Sequence, residues 1–440
     1  MRYRGKNPAK NRLRSYWVLF TVAAMLLSSC TANFTDEATR KTEAPSLGGP
    51  LNLPMIPWEG GGEYWNAFDK ARDAGWSDES FFPITLWFNA IMTNEEVQYD
   101  KKLGFNTYIG LDPSTPYELF ADNEAFWIGG PLNDSFTDES INWVGDFLGD
   151  EIDGRFDVAT GQRMMREASD LSEGSGRFRY TNYTQIVMAQ YMKAKDIETY
   201  VNDYSDVVSI DMYWYTVPFC SQLPLQHAYL FTLSESNCRT SSSYGKTIQA
   251  LRERDAVDGD LQRLWQFVEI LNGGPGQDAD YIEEISPGQL KGAVMNSLIH
   301  EARGIVYFNQ SLSGDCLAGA VVRQSQVVDN YCGKEQVEAA GEINLLIHSL
   351  APVLNSQSYA FEFGSGLDTM LKVKGDAAYV FSMLDDSHQT GERIFAVPEQ
   401  LRGKTVEVID ENRTIEPNID GTFTDTFEHE YSYHVYKVLL

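Results

Sequence analysis

Eight short runs rich in aromatic and β-branched residues recur between residues 82 and 311, separated by polar or amphipathic stretches. Several of these runs are continuously apolar, such as "FPITLWFN" and "VVSIDMYWY". Continuous apolar runs are typical of strands covered on both faces, whereas half-exposed strands alternate. We therefore predict eight strands of a buried parallel sheet, at 82–89, 104–111, 125–130, 141–149, 177–183, 207–215, 263–270 and 303–311.

Helical patterns occupy stretches between these runs. Thr93 and Glu96 have the spacing of a capping box at the start of 93–103, and Pro287 begins a pattern over 287–302. Strands alternating with helices over roughly 270 residues predict a (β/α)8 TIM barrel. A doubly wound sheet is the alternative, but the sequence contains no G-x-G-x-x-G or G-x-x-x-x-G-K. The other helical patterns cover 161–171, 185–204 and 334–354.

The pattern changes after about residue 358. From there the apolar runs are short, alternate with polar residues and are separated by Gly, Asn and Asp. Such runs are typical of antiparallel strands with one exposed face. We therefore predict a (β/α)8 barrel over 51–357 followed by a small C-terminal antiparallel β-sandwich over 358–440.

The first 30 residues have the order of a secretory signal peptide. Six Lys or Arg and no acid precede a 12-residue apolar run, which is too short to span a membrane. The following "LSSC" resembles the bacterial lipobox, in which the cysteine, here Cys30, becomes the lipid-bearing N-terminus. Cleavage elsewhere without a lipid is the alternative. We expect a polar tether over 31–50 and an extracytoplasmic protein anchored to the membrane through Cys30.

The formal net charge of −28 narrows the classes of partner. A surface this acidic repels nucleic acid and anionic membranes. A neutral ligand such as a sugar is indifferent to this field. The oligomeric state stays open, because nothing in the sequence bears on it.

Four cysteines remain besides Cys30, and an even number in an exported chain indicates disulfides. Four cysteines allow three pairings, of which the sequence-local one joins Cys220 to Cys238 and Cys316 to Cys332. A zinc site is the alternative, but no C-x-x-C or H-x-x-x-H spacing supports it. We therefore predict neither a metal nor a cofactor.

The stretch "GDFLGDEIDG" at 145–154 crowds four acids at the end of the fourth predicted strand. Catalytic groups of such barrels sit at the C-terminal ends of the strands, which is where Glu151 falls. Glu269 ends the seventh strand and interrupts an apolar run, where an unpaired charge is costly to bury. Alone, Glu151 could be a solvated turn acid and Glu269 a core acid paired with Arg or backbone. Together they predict a catalytic pair.

These two positions resemble those of the clan A glycoside hydrolases, which are retaining (β/α)8 enzymes. The resemblance covers roughly residues 80–350 and includes "FPITLWFNA", "GFNTYIGL" and "HEARGIVYFNQS". It implies that Glu151 is the general acid/base and Glu269 the nucleophile. Asp150 stands where most members of the clan have the Asn that binds the sugar 2-hydroxyl. An Asp accepts a hydrogen bond from a hydroxyl but cannot donate one.

Asp211 is predicted in the middle of the sixth strand, with its side chain pointing into the barrel. As the partner of Glu151 in place of Glu269, it would make the enzyme inverting. A structural acid that satisfies polar groups in the barrel is the alternative. Tyr213 and Tyr215 share its face by the two-residue period of a strand.

Aromatic and amide side chains are further candidates for substrate binding. Aromatic rings stack on the apolar faces of sugars, so we expect Trp87, Tyr213 and Tyr215 at the barrel mouth, with core packing as the alternative. Asn182, at the end of the fifth strand, would hydrogen-bond substrate or cap the following helix. Asn309 on the eighth strand has the same two alternatives.

The resulting hypothesis is a lipid-anchored retaining glycoside hydrolase acting on a neutral oligo- or polysaccharide without a cofactor. The alternative is a non-catalytic carbohydrate-binding lipoprotein on the same scaffold. Serine hydrolase chemistry is disfavoured, because the sequence contains no G-x-S-x-G elbow.

Overall fold

The computed structural model describes residues 47–217, 220, 229–231, 233–234, 236–274, 281–385 and 389–440. The predicted signal peptide, Cys30 and most of the expected tether lie outside the described residues. The described part begins with an antiparallel pair of short strands, β1 (Leu47–Gly48) and β2 (Leu53–Pro54). Paired backbone therefore begins within the last residues of the stretch expected as a tether.

Parallel strands close into an eight-stranded barrel in sequence order, and the last strand pairs with the first. Each of the eight predicted runs overlaps one of these strands, so the TIM-barrel prediction is confirmed. The barrel strands are β3 (Ile84–Trp87), β4 (Thr107–Ile109), β5 (Phe126–Ile128), β6 (Trp143–Asp150), β7 (Phe178–Tyr183), β8 (Val207–Ile210), β9 (Arg263–Glu269) and β10 (Ile305–Phe308).

Helices connect and cover these strands. The predicted capping box is present: Thr93 Oγ1 accepts the Glu96 N–H at 3.4 Å, and a Glu96 carboxylate oxygen accepts the Thr93 N–H at 3.1 Å. The described α-helices are α1 (Asp69–Asp73), α2 (Asn94–Lys102), α3 (Glu118–Asn123), α4 (Ile152–Arg155), α5 (Val158–Ser172), α6 (Ala194–Asn202), α7 (Ser241–Asp255), α8 (Pro287–Ile299), α9 (Val321–Val327) and α10 (Lys334–Leu354).

The predicted strand over 207–215 is too long, because β8 ends at Ile210. The backbone then turns, and the carbonyl of Tyr213 accepts two N–H hydrogen bonds from residues three and four positions later. The expectation that Asp211, Tyr213 and Tyr215 share one strand face is therefore wrong. All three lie in the loop after β8.

The helical pattern over 185–204 is interrupted. A 3-10 turn over Gln185–Met188 is followed by Ala189, which pairs with Tyr229 in an isolated β-bridge. This extended pairing is incompatible with a helix, so α6 begins only at Ala194.

Aromatic side chains fill the barrel interior, as β9 shows. Its Trp265 ring packs against Tyr180 with centroids 5.4 Å apart, and Phe267 packs against Trp87 at 5.2 Å. A Cβ on Gly304 would lie 2.6 Å from the Trp265 ring, so only glycine fits beside it. Because strand residues alternate, every second side chain of β9 points inward. These are Arg263, Trp265, Phe267 and, at the C-terminal end, Glu269.

Buried ion pairs close the N-terminal end of the barrel. Glu59 is 1% exposed and lies 3.0 Å from Arg303 Nε and 3.7 Å from Arg263 Nε. Although burial alone raises the pKa of a carboxyl, the two guanidinium groups lower the pKa of Glu59 to about 2. Glu59 is therefore ionised and balances two buried positive charges.

The C-terminal residues form an antiparallel sheet of six strands, covered on one face by a two-stranded ribbon. Phe395 and Phe423 of the ribbon stack at 4.5 Å and lie edge-on to Tyr436 of the sheet. The predicted C-terminal β-sandwich is confirmed. The sheet strands are β11 (Ser358–Tyr359), β12 (Leu367–Lys374), β13 (Ala377–Leu384), β18 (Tyr433–Leu439), β15 (Val406–Val408) and β16 (Arg413–Ile415), and the ribbon strands are β14 (Gly391–Phe395) and β17 (Phe423–Phe427).

We predict that Glu59→Gln destabilises the fold by about 3–5 kcal/mol, because it leaves two buried guanidinium groups without their shared carboxylate. Urea denaturation at pH 7 measures this loss. The control, Glu79→Gln, removes an exposed ion pair with Lys374 and should cost less than about 1 kcal/mol. Since the pKa of Glu59 is lowered on folding, its stabilisation is present above the unfolded pKa and is lost as the pH falls towards 2. Equal losses in both variants would contradict the prediction.

Candidate active site

A bulge in β6 sets the direction of its last side chains. The pairing of β6 with β7 shifts between Phe147 and Gly149, after which Asp150 stands opposite Asn182. Glu151 follows with φ +53° at the start of α4, and its N–H donates to the Asn182 carbonyl at 2.8 Å. Left-handed backbone at a residue with a side chain is strained and is held here by this pairing. The bulge and turn together bring two successive acids to the barrel rim.

Asp150 is held by hydrogen bonds. Asn182 Nδ2 donates to Asp150 Oδ1 at 3.0 Å, and Asn182 Oδ1 accepts from Ser209 Oγ at 2.8 Å. Arg155 Nη2 lies 2.8 Å from both Asp150 Oδ2 and Glu151 Oε2. Burial raises the pKa of Asp150. Asn182 is 1% exposed, so its amide orients Asp150 rather than standing free at the mouth.

Asp211 lies directly after β8, where its N–H donates to the Tyr183 carbonyl at 3.2 Å. Its carboxyl hydrogen-bonds to the carboxyl of Glu151. Burial raises the pKa of Asp211 well above its ordinary value, and the Glu151 carboxylate raises it further. Asp211 therefore keeps its proton to higher pH than an ordinary carboxyl. The neighbouring Glu151 side chain is 31% exposed.

Glu269 is fully buried and is bound by two hydroxyl groups. The Tyr244 hydroxyl lies 2.8 and 2.7 Å from its two carboxylate oxygens, and Thr216 Oγ1 donates at 3.2 Å. Burial raises the pKa of Glu269 to about 7, although these hydrogen bonds and the nearby Arg239 act in the opposite direction. An Arg or backbone partner for Glu269 was considered from the sequence, but its side-chain hydrogen bonds come from two hydroxyl groups.

Tyr213, in the loop after β8, is influenced by all of these acids. After burial, the carboxylates of Asp211, Glu269, Glu151 and Asp150 raise the pKa of its phenol, in that order. Its ring packs against Phe308 at 5.1 Å, at the C-terminal end of β10. These carboxyls end or follow β6, β8 and β9, so they lie at the same rim of the barrel and act on one phenol.

The remaining predicted substrate residues are engaged within the protein. Trp87 is 4% exposed and packs edge-on against Phe147 and Phe267 in the upper barrel. Tyr215 is 3% exposed, and its hydroxyl lies 2.8 Å from Ser241 Oγ. Neither ring is therefore an open platform on which a sugar could stack.

Asn309 also has its amide fully used. Its Nδ2 donates to the Phe88 carbonyl at 3.0 Å, and its Oδ1 accepts the Val322 N–H at 2.8 Å. Since Asn309 is 0% exposed, the capping alternative describes it.

Three further site residues, Arg155, Tyr244 and Thr216, were not predicted from the sequence. Arg155 follows Glu151 by four positions, which is a recognisable helical pair. Tyr244 and Thr216 carry no pattern that links them to Glu269, because each contact joins separate elements.

Both predicted disulfides are present. Cys220 pairs with Cys238 and Cys316 with Cys332, with Cα–Cα distances of 5.6 and 5.8 Å. Two disulfides indicate an oxidising, extracytoplasmic compartment. No group of three or more His, Cys, Asp or Glu placed to hold a metal occurs among the described residues. Across the same ranges, no helix is both long and apolar enough to cross a membrane.

No family model matches this chain, and no curated protein matches it significantly. A family 5 glycoside hydrolase from Bacteroides vulgatus superposes with a TM-score of 0.50 at 11% identity, over 82% of this chain and 89% of that one. A putative α-galactosidase from Bacteroides fragilis gives 0.46 at 10%, over 82% and 79%. A family 30 endoxylanase from Clostridium papyrosolvens gives 0.42 at 9%, over 82% and 97%. At 11% identity, the likeness to the family 5 structure shows the fold alone.

We predict that Glu269→Gln changes how stability depends on pH. Since burial raises the pKa of Glu269 from 4.5 to about 7, the folded state binds this proton more tightly than the unfolded state. The wild type therefore loses roughly 3 kcal/mol as the pH rises through this window, and the variant does not. Urea denaturation at pH 4.5 and pH 8 should show the variant gaining relative to the wild type at the higher pH. A difference that is independent of pH would contradict this prediction.

Proposed function

We propose that the chain is a retaining glycoside hydrolase that cleaves a neutral oligo- or polysaccharide by double displacement. Glu151 would be the general acid/base and Glu269 the nucleophile. The observation that carries the proposal is that Glu151 directly follows β6 and Glu269 ends β9, so both carboxyls lie at the C-terminal rim of the barrel. Glycosidic cleavage requires two carboxyls, one to donate a proton and one to attack the anomeric carbon.

In the first step, Glu151 donates a proton to the glycosidic oxygen as the bond between that oxygen and the anomeric carbon breaks. The proton comes from the hydrogen-bonded pair of Glu151 and Asp211, which retains one because the pKa of Asp211 is raised. A carboxylate oxygen of Glu269 attacks the anomeric carbon and forms a glycosyl ester. The leaving sugar departs with the donated proton.

In the second step, the Glu151 carboxylate removes a proton from water. The water oxygen bonds to the anomeric carbon, and the ester bond to Glu269 breaks. The sugar leaves with its original anomeric configuration. The proton returns to the pair of Glu151 and Asp211, so the cycle is closed.

Neighbouring groups support these roles. The Tyr244 and Thr216 hydroxyls stabilise the ionised form of Glu269, which is the form that attacks. Asp150 is proposed to accept a hydrogen bond from the sugar. The net charge of −28 disfavours anionic substrates and leaves neutral ones unaffected.

The proposal includes the cellular location and the domain division. Lipidation at Cys30 would hold the barrel, 51–357, and the C-terminal sandwich, 358–440, at the outer side of a membrane. The two disulfides support export.

One observation favours a second candidate function. Glu269 is 0% exposed, and a nucleophile without access to substrate would leave a carbohydrate-binding protein without turnover. The two functions predict opposite behaviour of the same variants.

We predict that Glu151→Gln and Glu269→Gln each lower kcat on aryl glycosides or polysaccharides by at least about 10²-fold. Sugar binding, measured by calorimetry, should persist in both variants. The control Glu139→Gln removes an exposed acid of the loop before β6 and should leave kcat unchanged. NMR of the first product should show retained anomeric configuration. Full activity in either catalytic variant would refute the assignment, and sugar binding without turnover in the wild type would establish the binding protein.

We predict that Asp211→Asn moves the basic limb of the kcat/KM profile to lower pH. The substitution removes the neighbouring acid, so the pair no longer retains its proton into the neutral range. Steady-state rates across pH 5–10 on an aryl glycoside measure the limb. An unchanged basic limb would assign the proton to another group.

A further inference from the structure

The C-terminal sheet reaches the candidate active site through the turn between β17 and β18. We propose that Glu430 in this turn is a positioning residue, which holds Tyr244 and through it the Glu269 carboxyl. The inference rests on the proposed role of Glu269 as nucleophile. It makes the C-terminal sandwich part of the catalytic apparatus rather than an accessory.

The first contact joins Glu430 to the start of α7. The preceding residue, Thr240, makes no side-chain capping bond, because its Oγ1 donates to the Asn237 carbonyl at 2.8 Å. The Ser241 N–H, which has no partner within a helix, donates instead to Glu430 Oε2 at 3.0 Å. A carboxylate at a helix N-terminus is also favoured by the helix dipole. Glu430 thus replaces a missing local cap.

The second contact of Glu430 begins a series of hydrogen bonds that ends at Glu269. Tyr215 donates its hydroxyl to Glu430 Oε1 at 2.6 Å, and the Tyr215 N–H donates to the Tyr244 hydroxyl oxygen at 3.2 Å. The Tyr244 hydroxyl in turn donates to Glu269 at 2.7 Å. Both routes from Glu430 converge on Tyr244, because α7 carries Tyr244 and Tyr215 aligns its hydroxyl.

Helix α8 holds the turn in place. A Cβ on Gly288 would lie 2.5 Å from the Tyr431 ring, and one on Gly292 would lie 2.6 Å from the Tyr431 Cβ. These two glycines, one helical turn apart, let the chain beside Glu430 approach the helix backbone. The segment that carries Glu430 is therefore packed closely against α8, which fixes the position of its carboxylate.

The position of the Tyr244 hydroxyl affects the pKa of Glu269. The Tyr244 hydrogen bond lowers the pKa of Glu269 against the effect of burial, so a misplaced Tyr244 hydroxyl would let this pKa rise above about 7. A higher pKa leaves less of the attacking carboxylate at neutral pH. The titratable and charged groups that face Glu269 are Tyr244 of α7, Arg239 before it, and Tyr213 and Tyr215 after β8.

The test is Glu430→Gln in the full chain. The amide cannot accept from both Tyr215 and Ser241, since its nitrogen only donates. We expect kcat/KM to fall about tenfold and the acidic limb of its pH profile to move to higher pH. The control Glu428→Gln changes an exposed acid of the same turn and should match the wild type.

A second variant, Tyr215→Phe, removes the hydroxyl contact and keeps the helix cap, so it should shift the limb in the same direction. Effects of Glu430→Gln and Tyr244→Phe should be less than additive, because both act through one hydroxyl. Wild-type behaviour of Glu430→Gln, with a shift in Tyr244→Phe, would overturn the proposal.

An infrared titration separates this inference from the proposed function. The carboxyl band of Glu269, identified by its loss in Glu269→Gln, reports ionisation without any turnover. A higher midpoint in Glu430→Gln than in Glu428→Gln would support positioning even if the wild type proved inactive. An unchanged midpoint would overturn positioning even if the enzyme is active.

Discussion

The aromatic packing inside the barrel confines charge to its two ends. A charged side chain among these rings would lose its hydration without room for a partner. Charged side chains inside the barrel are therefore found at its two ends, where Glu59 and Glu269 lie. The continuous ring contacts run through Trp265, Tyr180, Phe147 and Trp87.

The two ends of the barrel shift the pKa of a buried glutamate in opposite directions. Glu59 and Glu269 are both fully buried, yet the pKa of Glu59 is about 2 and that of Glu269 about 7. Guanidinium groups compensate the first carboxyl, whereas the second has chiefly hydroxyl donors, which stabilise an anion less than a cation does. The N-terminal end therefore gains stability from its acid, and the C-terminal end keeps an acid that costs stability at neutral pH. Such a cost is typical of functional sites.

The barrel and the positions of Glu151 and Glu269 could be predicted because strand periodicity is local in the sequence. Asp211 was wrongly predicted to lie within a strand, because the apolar composition continues past Ile210, where β8 ends. The partners of Glu269 were not predictable, because Tyr244 lies 25 residues away on a helix whose pattern gives no functional signal. Burial of Trp87 depends on rings from two other strands, Phe147 of β6 and Phe267 of β9, which no linear pattern specifies.

The hydrogen bond that caps α7 joins two residues that are far apart in the sequence. Glu430 and Ser241 are separated by 189 residues, and no periodicity connects them. The barrel and sandwich follow each other closely, with α10 ending at Leu354 and β11 beginning at Ser358. This short connection keeps the C-terminal sheet against α7 and α8, where Asp368 of β12 accepts the Asn296 amide at 3.0 Å. The C-terminal sheet therefore contacts the start of α7, and hydrogen bonds continue from there through Tyr244 to the buried carboxyl of Glu269.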